Sequence, residues 1–183
     1  SMKRLVIKDV KNFKNIKKIT CLTAYTTSIA KIIDNYVDII LIGDSLGPVI
    51  YGMKNTQKVT LDMMIAHGKA VYLSTKKAFT IIDMPFGTYS NKKNALMNAR
   101  KILKYTKCQS IKLETDNKSI DKVKHLIKNK INVVAHIGVN PQKFKKFSKI
   151  RVVGKNIKEE QHLIELALKL ESVGVKIIVL ECI

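Results

Sequence analysis

A chain of 183 residues with 46% apolar content is long enough for one domain with a sizeable core, and no apolar run approaches the roughly 18–20 residues of a membrane span. The net charge of +20 raises nucleic-acid binding, but only Arg4, Arg100 and Arg151 among the 34 basic residues are arginines, and base and phosphate reading favours the guanidinium fork. The lysines are spread along the chain with few aromatics between them, as in the product of an AT-rich genome, so neither nucleic acid nor membrane is expected as a partner.

Taken in chain order, residues 1–20 have no sustained apolar run and include Asp9, unlike a signal or transit peptide, and Ser1 before Met2 looks like a cloning remnant. The first strand is expected near Thr20–Ala24, with a helix over Thr27–Tyr36 behind it. Asp38–Ile42 is the second strand and runs into the loop GDSLGPVIYGMKNTQKV. A helix from Thr60 to Ser74 carries Asp62 in its first turn, where the helix dipole favours an acid. Ala78–Ile82 is the third strand, followed by a loop with Pro85 and Gly87 and a helix over Lys92–Tyr105. The strand Ser110–Glu114 then precedes a helix at Ser119–Lys130. Asn132–His136 feeds a long loop through Pro141 and Gly154. The last helix, Lys158–Ser172, passes through Gly174, a C′ glycine, to the strand Lys176–Glu181.

Ile/Val-rich runs of this length between helical segments are the pattern of buried parallel strands. Six β/α repeats in one domain, residues 1–183, leave two readings: an incomplete α/β barrel or an open doubly wound sheet. A closed barrel usually takes about 250 residues. The incomplete barrel is preferred.

Several strands end in a residue able to bind metal or move protons, and parallel strands open their carboxyl ends onto one face. Asp44, Asp83 and Glu114 are hard oxygen ligands suited to magnesium, which takes a few carboxylates and leaves positions for a 2-oxo acid. The bland alternative is that each acid caps the following helix. Gly43 and Gly47 bracket Asp44 and Ser45, so the backbone there can approach a ligand. Lys112 lies in an apolar strand, where it is costly unless paired, and its charge suits a substrate carboxylate. Glu181, embedded in IIVLEC, is a candidate general base or else a solvated residue. His136 is a substrate-orienting residue or a hydrogen-bonded core histidine. His67, His125 and His162 fall on predicted helices and need no function. Cys21, Cys108 and Cys182 are odd in number without CxxC spacing, so no disulfide framework or zinc site is expected, and a reducing cytoplasm is the default.

The stretches TAYTTSIAK (23–31), ILIGDSLGPVIYG (40–52), VTLDMMIAHGKAV (59–71), DMPFGTY (83–89), IKLE (111–114), AHIGVNPQ (135–142) and VLEC (179–182) together resemble the 3-methyl-2-oxobutanoate (ketopantoate) hydroxymethyltransferase family in order and spacing. The resemblance implies a (β/α)8 TIM barrel of the phosphoenolpyruvate/pyruvate type, with about six β/α units in this chain. It implies Mg2+ held by Asp44, Asp83 and Glu114, a 2-oxo acid held by Asp44, Ser45, Asp83 and Lys112, and Glu181 as proton acceptor. By that resemblance, a magnesium-stabilised enolate attacks the methylene carbon of 5,10-methylenetetrahydrofolate in a step of pantothenate synthesis. Family members are cytoplasmic and commonly decameric, so a homo-oligomer is implied.

Three departures stand out. Thr115-Asp116 occupies the place of a usual Gly-Gly pair, and FSKIRVVGK (147–155) lacks the glycine pair and Gln of the loop after the Pro-Gln motif. The last two β/α units and the C-terminal helices of the family are absent. A related magnesium-dependent 2-oxo acid lyase or aldolase, or a non-catalytic subunit, are the alternative readings.

Overall fold

A computed structural model describes residues 3–183. Six strands, β1 (Cys21–Thr23), β2 (Ile39–Ile42), β3 (Phe79–Asp83), β4 (Ser110–Glu114), β5 (Val133–Gly138) and β6 (Ile177–Glu181), form one parallel sheet in the order β1-β2-β3-β4-β5-β6. That order separates the two topologies. A doubly wound sheet reverses direction part-way, whereas an α/β barrel sets each strand beside the last. The chain follows the barrel order.

Period-two alternation gives each strand two apolar faces. Ile40, Ile42, Ile82, Ile111, Leu113 and Ala135 pack outward against α4 (Leu61–Ser74), α5 (Lys92–Thr106), α6 (Ile120–Lys128) and α7 (Ile157–Ser172). Ile39, Phe79, Ile81 and Val134 point inward. Side chains two residues apart share a face, so Asp83, Lys112, Glu114, His136 and Glu181 are directed inward too. Thr26, Thr60, Asn91 and Asn156 cap α2 (Thr27–Ile33), α4, α5 and α7, each accepting from the N–H three residues on.

Two helices depart from the expected elements. α1 (Ile7–Asn12) begins where the Asp9 carboxylate accepts the Val6 N–H at 2.8 Å, and its Val10 seals the inner apolar cluster. Arg4 fastens this segment through Ala78 O at 2.9 Å and the Tyr72 ring at 4.2 Å. The barrel is thereby plugged at its strand N-termini. α3 (Leu46–Tyr51) lies inside the stretch expected to be loop. Pro48 falls in its first turn, where no N–H is needed, and Gly52 closes it at φ +63°.

Asp34, at the end of α2, accepts backbone N–H bonds from Lys76 (2.7 Å), Lys77 (3.0 Å) and Ala78 (2.8 Å), and so fixes the entry to β3. It is buried, so Asp34→Ala would orphan donors that water reaches poorly. Urea unfolding is expected to show a loss of about 2–3 kcal/mol.

β1 and β6 are the sheet edges, and among the described residues no pairing joins them. An open groove of about 620 Å³ beside β6, lined by Val10, Ile19, Leu168, Ile177 and Ile178, marks the seam. Unpaired parallel edges with adjacent apolar surface are association liabilities. The 183-residue chain on its own is therefore expected to bind a hydrophobic dye such as ANS in its native state. A sharp melt of a monodisperse, dye-silent species would contradict this.

Candidate active site

One cavity of about 370 Å³ at the strand C-termini is lined by Asp44, Ser45, Asp83, Lys112, Glu114, His136 and Glu181, which gathers every site residue expected from sequence. Register explains the convergence. Asp83 pairs with Lys112, Glu114 with His136 and Gly138 with Glu181 across neighbouring strands.

The carboxylates do not cap the helices that follow them. Asp83 Oδ2 accepts the Asp44 N–H at 3.0 Å, Asp44 Oδ2 accepts from Gln142 Nε2 at 2.7 Å, and Glu114 Oε1 accepts the Gln142 N–H at 2.7 Å. The helix after Asp83, α5, is capped by Asn91, and α3 and α6, which follow Asp44 and Glu114, start at Ser45 and Ser119 without a side-chain cap bond. Burial, then the Asp83 charge, pushes Asp44 up to about 7, and burial pushes Glu114 up to about 7.

Lys112 is the cation among them. Its Nζ lies 3.0 Å from Asp83 Oδ1, an ion pair not aligned as a hydrogen bond. Burial works against the ammonium, but Asp83, Asp44 and Glu181 outweigh it and hold its pKa above the ordinary lysine value. The same nitrogen lies 3.4 Å from His136 Nδ1. An ammonium only donates, so Nδ1 accepts and the imidazole proton sits on Nε2. Burial, reinforced by Lys112, lowers His136 to about 4, so the ring is neutral. Nε2 is 3.3 Å from Glu181 Oε2, near enough to attract it though off the hydrogen-bond line. Glu181 is half-exposed, and burial raises its pKa, with Lys112 opposing.

Backbone contacts fix Glu181 further. Val139 N–H donates to Glu181 O at 2.9 Å, and Gly138, at φ +101°, allows that approach because a Cβ there would lie 2.3 Å from Glu181 O. The Ser45 hydroxyl is held by Tyr25 Oη at 2.6 Å, and Tyr25 O is held by His67 Nδ1 at 2.6 Å. His67 also meets Tyr51 Oη at 2.9 Å, so it supports the site from outside. Tyr25, His67, Tyr89 and Gln142 were not legible as site residues. All but His67 lie outside regular elements or on a 3-10 turn, where no periodicity tells which side chain turns inward. The Thr115-Asp116 departure has its own supports: Thr115 Oγ1 donates to His136 O at 2.9 Å, and Asp116 pairs with Lys143 at 3.0 Å.

The residues fit a hard divalent cation by chemistry. Three buried carboxylates face one cavity with one lysine, and Asp83 Oδ1 accepts no hydrogen bond. Among the described residues no three such side chains are drawn together as a ready-made ligand group.

The sequence model of the family described as ketopantoate hydroxymethyltransferase matches residues 4–183. The chain belongs to this family. A 3-methyl-2-oxobutanoate hydroxymethyltransferase of Pelagibacter ubique is 50% identical over 162 residues, covering 88% of this chain and 62% of the relative. Its namesake in Anaplasma marginale is 42% identical, covering 98% of this chain and 65% of the relative. The chain thus spans less than two thirds of the length of these ketopantoate hydroxymethyltransferases. Among solved structures, a phosphonopyruvate hydrolase superposes with TM-score 0.72 at 12% identity, covering 100% of this chain and 64% of that one. A 2,3-dimethylmalate lyase of the PEP mutase/isocitrate lyase superfamily gives 0.69 at 10% identity, covering 98% and 63%. These likenesses establish the TIM-barrel-type α/β fold.

Proposed function

We propose that this chain carries the substrate-binding and proton-abstracting centre of a 3-methyl-2-oxobutanoate hydroxymethyltransferase acting in pantothenate synthesis. The observation that carries the reading is the placement of Lys112 between Asp83 and His136, with Glu181 beyond the imidazole, in one cavity flanked by acids. Lys112 binds the carboxylate of the 2-oxo acid. Ser45, aimed by Tyr25, and Asp44 and Asp83 orient its oxygens, and the neutral His136 positions both substrate and Glu181. Glu181 takes the proton from C3. That carbon bonds to the methylene carbon of 5,10-methylenetetrahydrofolate as the methylene's two C–N bonds to the folate break. Water supplies the hydroxyl oxygen, its proton and the one taken from C3 pass to the folate nitrogens, and tetrahydrofolate and 2-dehydropantoate leave. Asp44, Asp83 and Glu114 would hold Mg2+, directly or through water. When bound, the ion would supply the positive charge that stabilises an enolate and so acidifies the C3–H bond.

The same reading makes the protein cytoplasmic and homo-oligomeric. Exposed Ile32, Val49 and Tyr51 supply apolar surface for self-association. Among the described residues no helix is long and apolar enough to cross a membrane.

The test is proton NMR of 3-methyl-2-oxobutanoate with the protein in deuterated buffer, with and without Mg2+. It needs no folate and so isolates enolisation. Magnesium-dependent loss of the C3 proton signal is the expected result. No exchange above buffer from a sample shown to be folded would overturn the reading for this chain.

A further inference from the structure

Gln142, buried on the 3-10 turn Pro141–Lys143 after β5, is bonded on every side. Its side-chain nitrogen donates to Asp44 Oδ2 at 2.7 Å and to Met84 O at 3.0 Å. Its side-chain oxygen accepts from the Tyr89 hydroxyl. Its backbone N–H donates to Glu114 Oε1 at 2.7 Å, and its backbone carbonyl accepts from Gln57 Nε2 at 2.9 Å. The orientation of the amide follows from chemistry. A backbone carbonyl only accepts, so the nitrogen must face Met84 O and with it Asp44, leaving the oxygen for Tyr89. Tyr89 is itself anchored, since Lys122 Nζ donates to its carbonyl at 2.7 Å and lies 5.0 Å from the ring centroid.

One residue thus fixes one oxygen on each of two acids, Asp44 on the turn after β2 and Glu114 at the end of β4. The hydrogen bonds named here leave Asp44 Oδ1 and Glu114 Oε2 uncommitted. We infer that Gln142, clamped by Tyr89, is a positioning residue that presets Asp44 and Glu114 for a divalent cation. This rests on the reading of the site given above. Both carboxylates could otherwise turn, and ordering them would be charged against cation binding. Supports of this kind typically account for 10–100-fold in metal affinity.

Mn2+ serves as the probe, titrated into the protein and followed by electron paramagnetic resonance of the free ion, with wild type beside Asp44→Asn, Gln142→Met and Tyr89→Phe. Gln142→Met keeps the size of the side chain and removes the amide that holds Asp44; the backbone bond to Glu114 then depends on the turn keeping its place without the Tyr89 and Met84 anchors. Wild type is expected to bind, Asp44→Asn to lose affinity, and Gln142→Met and Tyr89→Phe each to weaken binding by about tenfold or more. The melting temperature of metal-free Tyr89→Phe should stay within a few degrees of wild type, which a merely structural role would not combine with weakened binding. Wild-type affinity in both Gln142→Met and Tyr89→Phe, with Asp44→Asn impaired, would overturn the inference and leave the site reading intact. Absence of binding to folded wild type, or full binding by Asp44→Asn, would overturn both. Should Gln142→Met fail to fold, Tyr89→Phe decides alone.

Discussion

Glu181→Gln is expected to slow magnesium-dependent exchange of the C3 proton of 3-methyl-2-oxobutanoate by about 10²–10⁴-fold, the usual contribution of a positioned general base. The change removes one ability only. Glutamine keeps the shape and can still place an oxygen beside the Nε2–H of His136, but it cannot take a proton from carbon. Stability should hardly move. Glu181 is half-exposed, and its link to the fold runs through its backbone carbonyl, which accepts from Val139 N–H whatever the side chain. Such substitutions typically stay within about 0.5 kcal/mol in unfolding. Rate and stability therefore separate, and NMR exchange beside thermal denaturation measures both. If Glu181→Gln exchanged the proton as fast as wild type, the base would have to be sought elsewhere in the cavity. Asp44 and Glu114, both pushed up to about 7, would be the next candidates.

The sheet and the inward acids were legible in the sequence for one physical reason. A buried parallel strand is a run of branched apolar residues, and a polar residue at its end, or two positions apart as in Lys112 and Glu114, must share a face with its neighbours. The expected strand Ser110–Glu114 coincides with β4, and the other expected strands end within two residues of the observed ones. What was missed lies where tertiary contacts rather than periodicity decide. α1 has six residues and stands because Val10 is buried under the sheet. α3 was concealed by glycines and a proline, although Ser45, Pro48 and Gly52 sit at a helix start, first turn and end. Gln142 carried only the Pro-Gln dipeptide as a signal. Nothing in a sequence says that an amide 98 residues away from Asp44 bonds to it.

Lys112→Met is expected to have the largest combined effect, on stability and on substrate binding. The ammonium is nearly sequestered, and its partner Asp83 is equally buried. Removing one member of such a pair usually costs about 3–5 kcal/mol, because the remaining charge is stranded out of water. Here the stranded charge also faces Asp44, so the loss should fall at the upper end in urea unfolding without metal. The double variant Lys112→Met, Asp83→Asn distinguishes stranded charge from lost packing. With no carboxylate left unpaired at position 83, it should recover a large part of the stability. Binding should behave differently. On the proposed reading the 2-oxo acid carboxylate loses its counter-charge in either variant, so calorimetric titration with 3-methyl-2-oxobutanoate should show weak binding in both. Recovery of stability without recovery of binding, beside an Asp83→Asn single variant that binds better than either Lys112→Met variant, would place Lys112 in contact with substrate as well as in the fold. Recovery of both would reduce it to a structural partner of Asp83, and the carboxylate of the substrate would then need another cation.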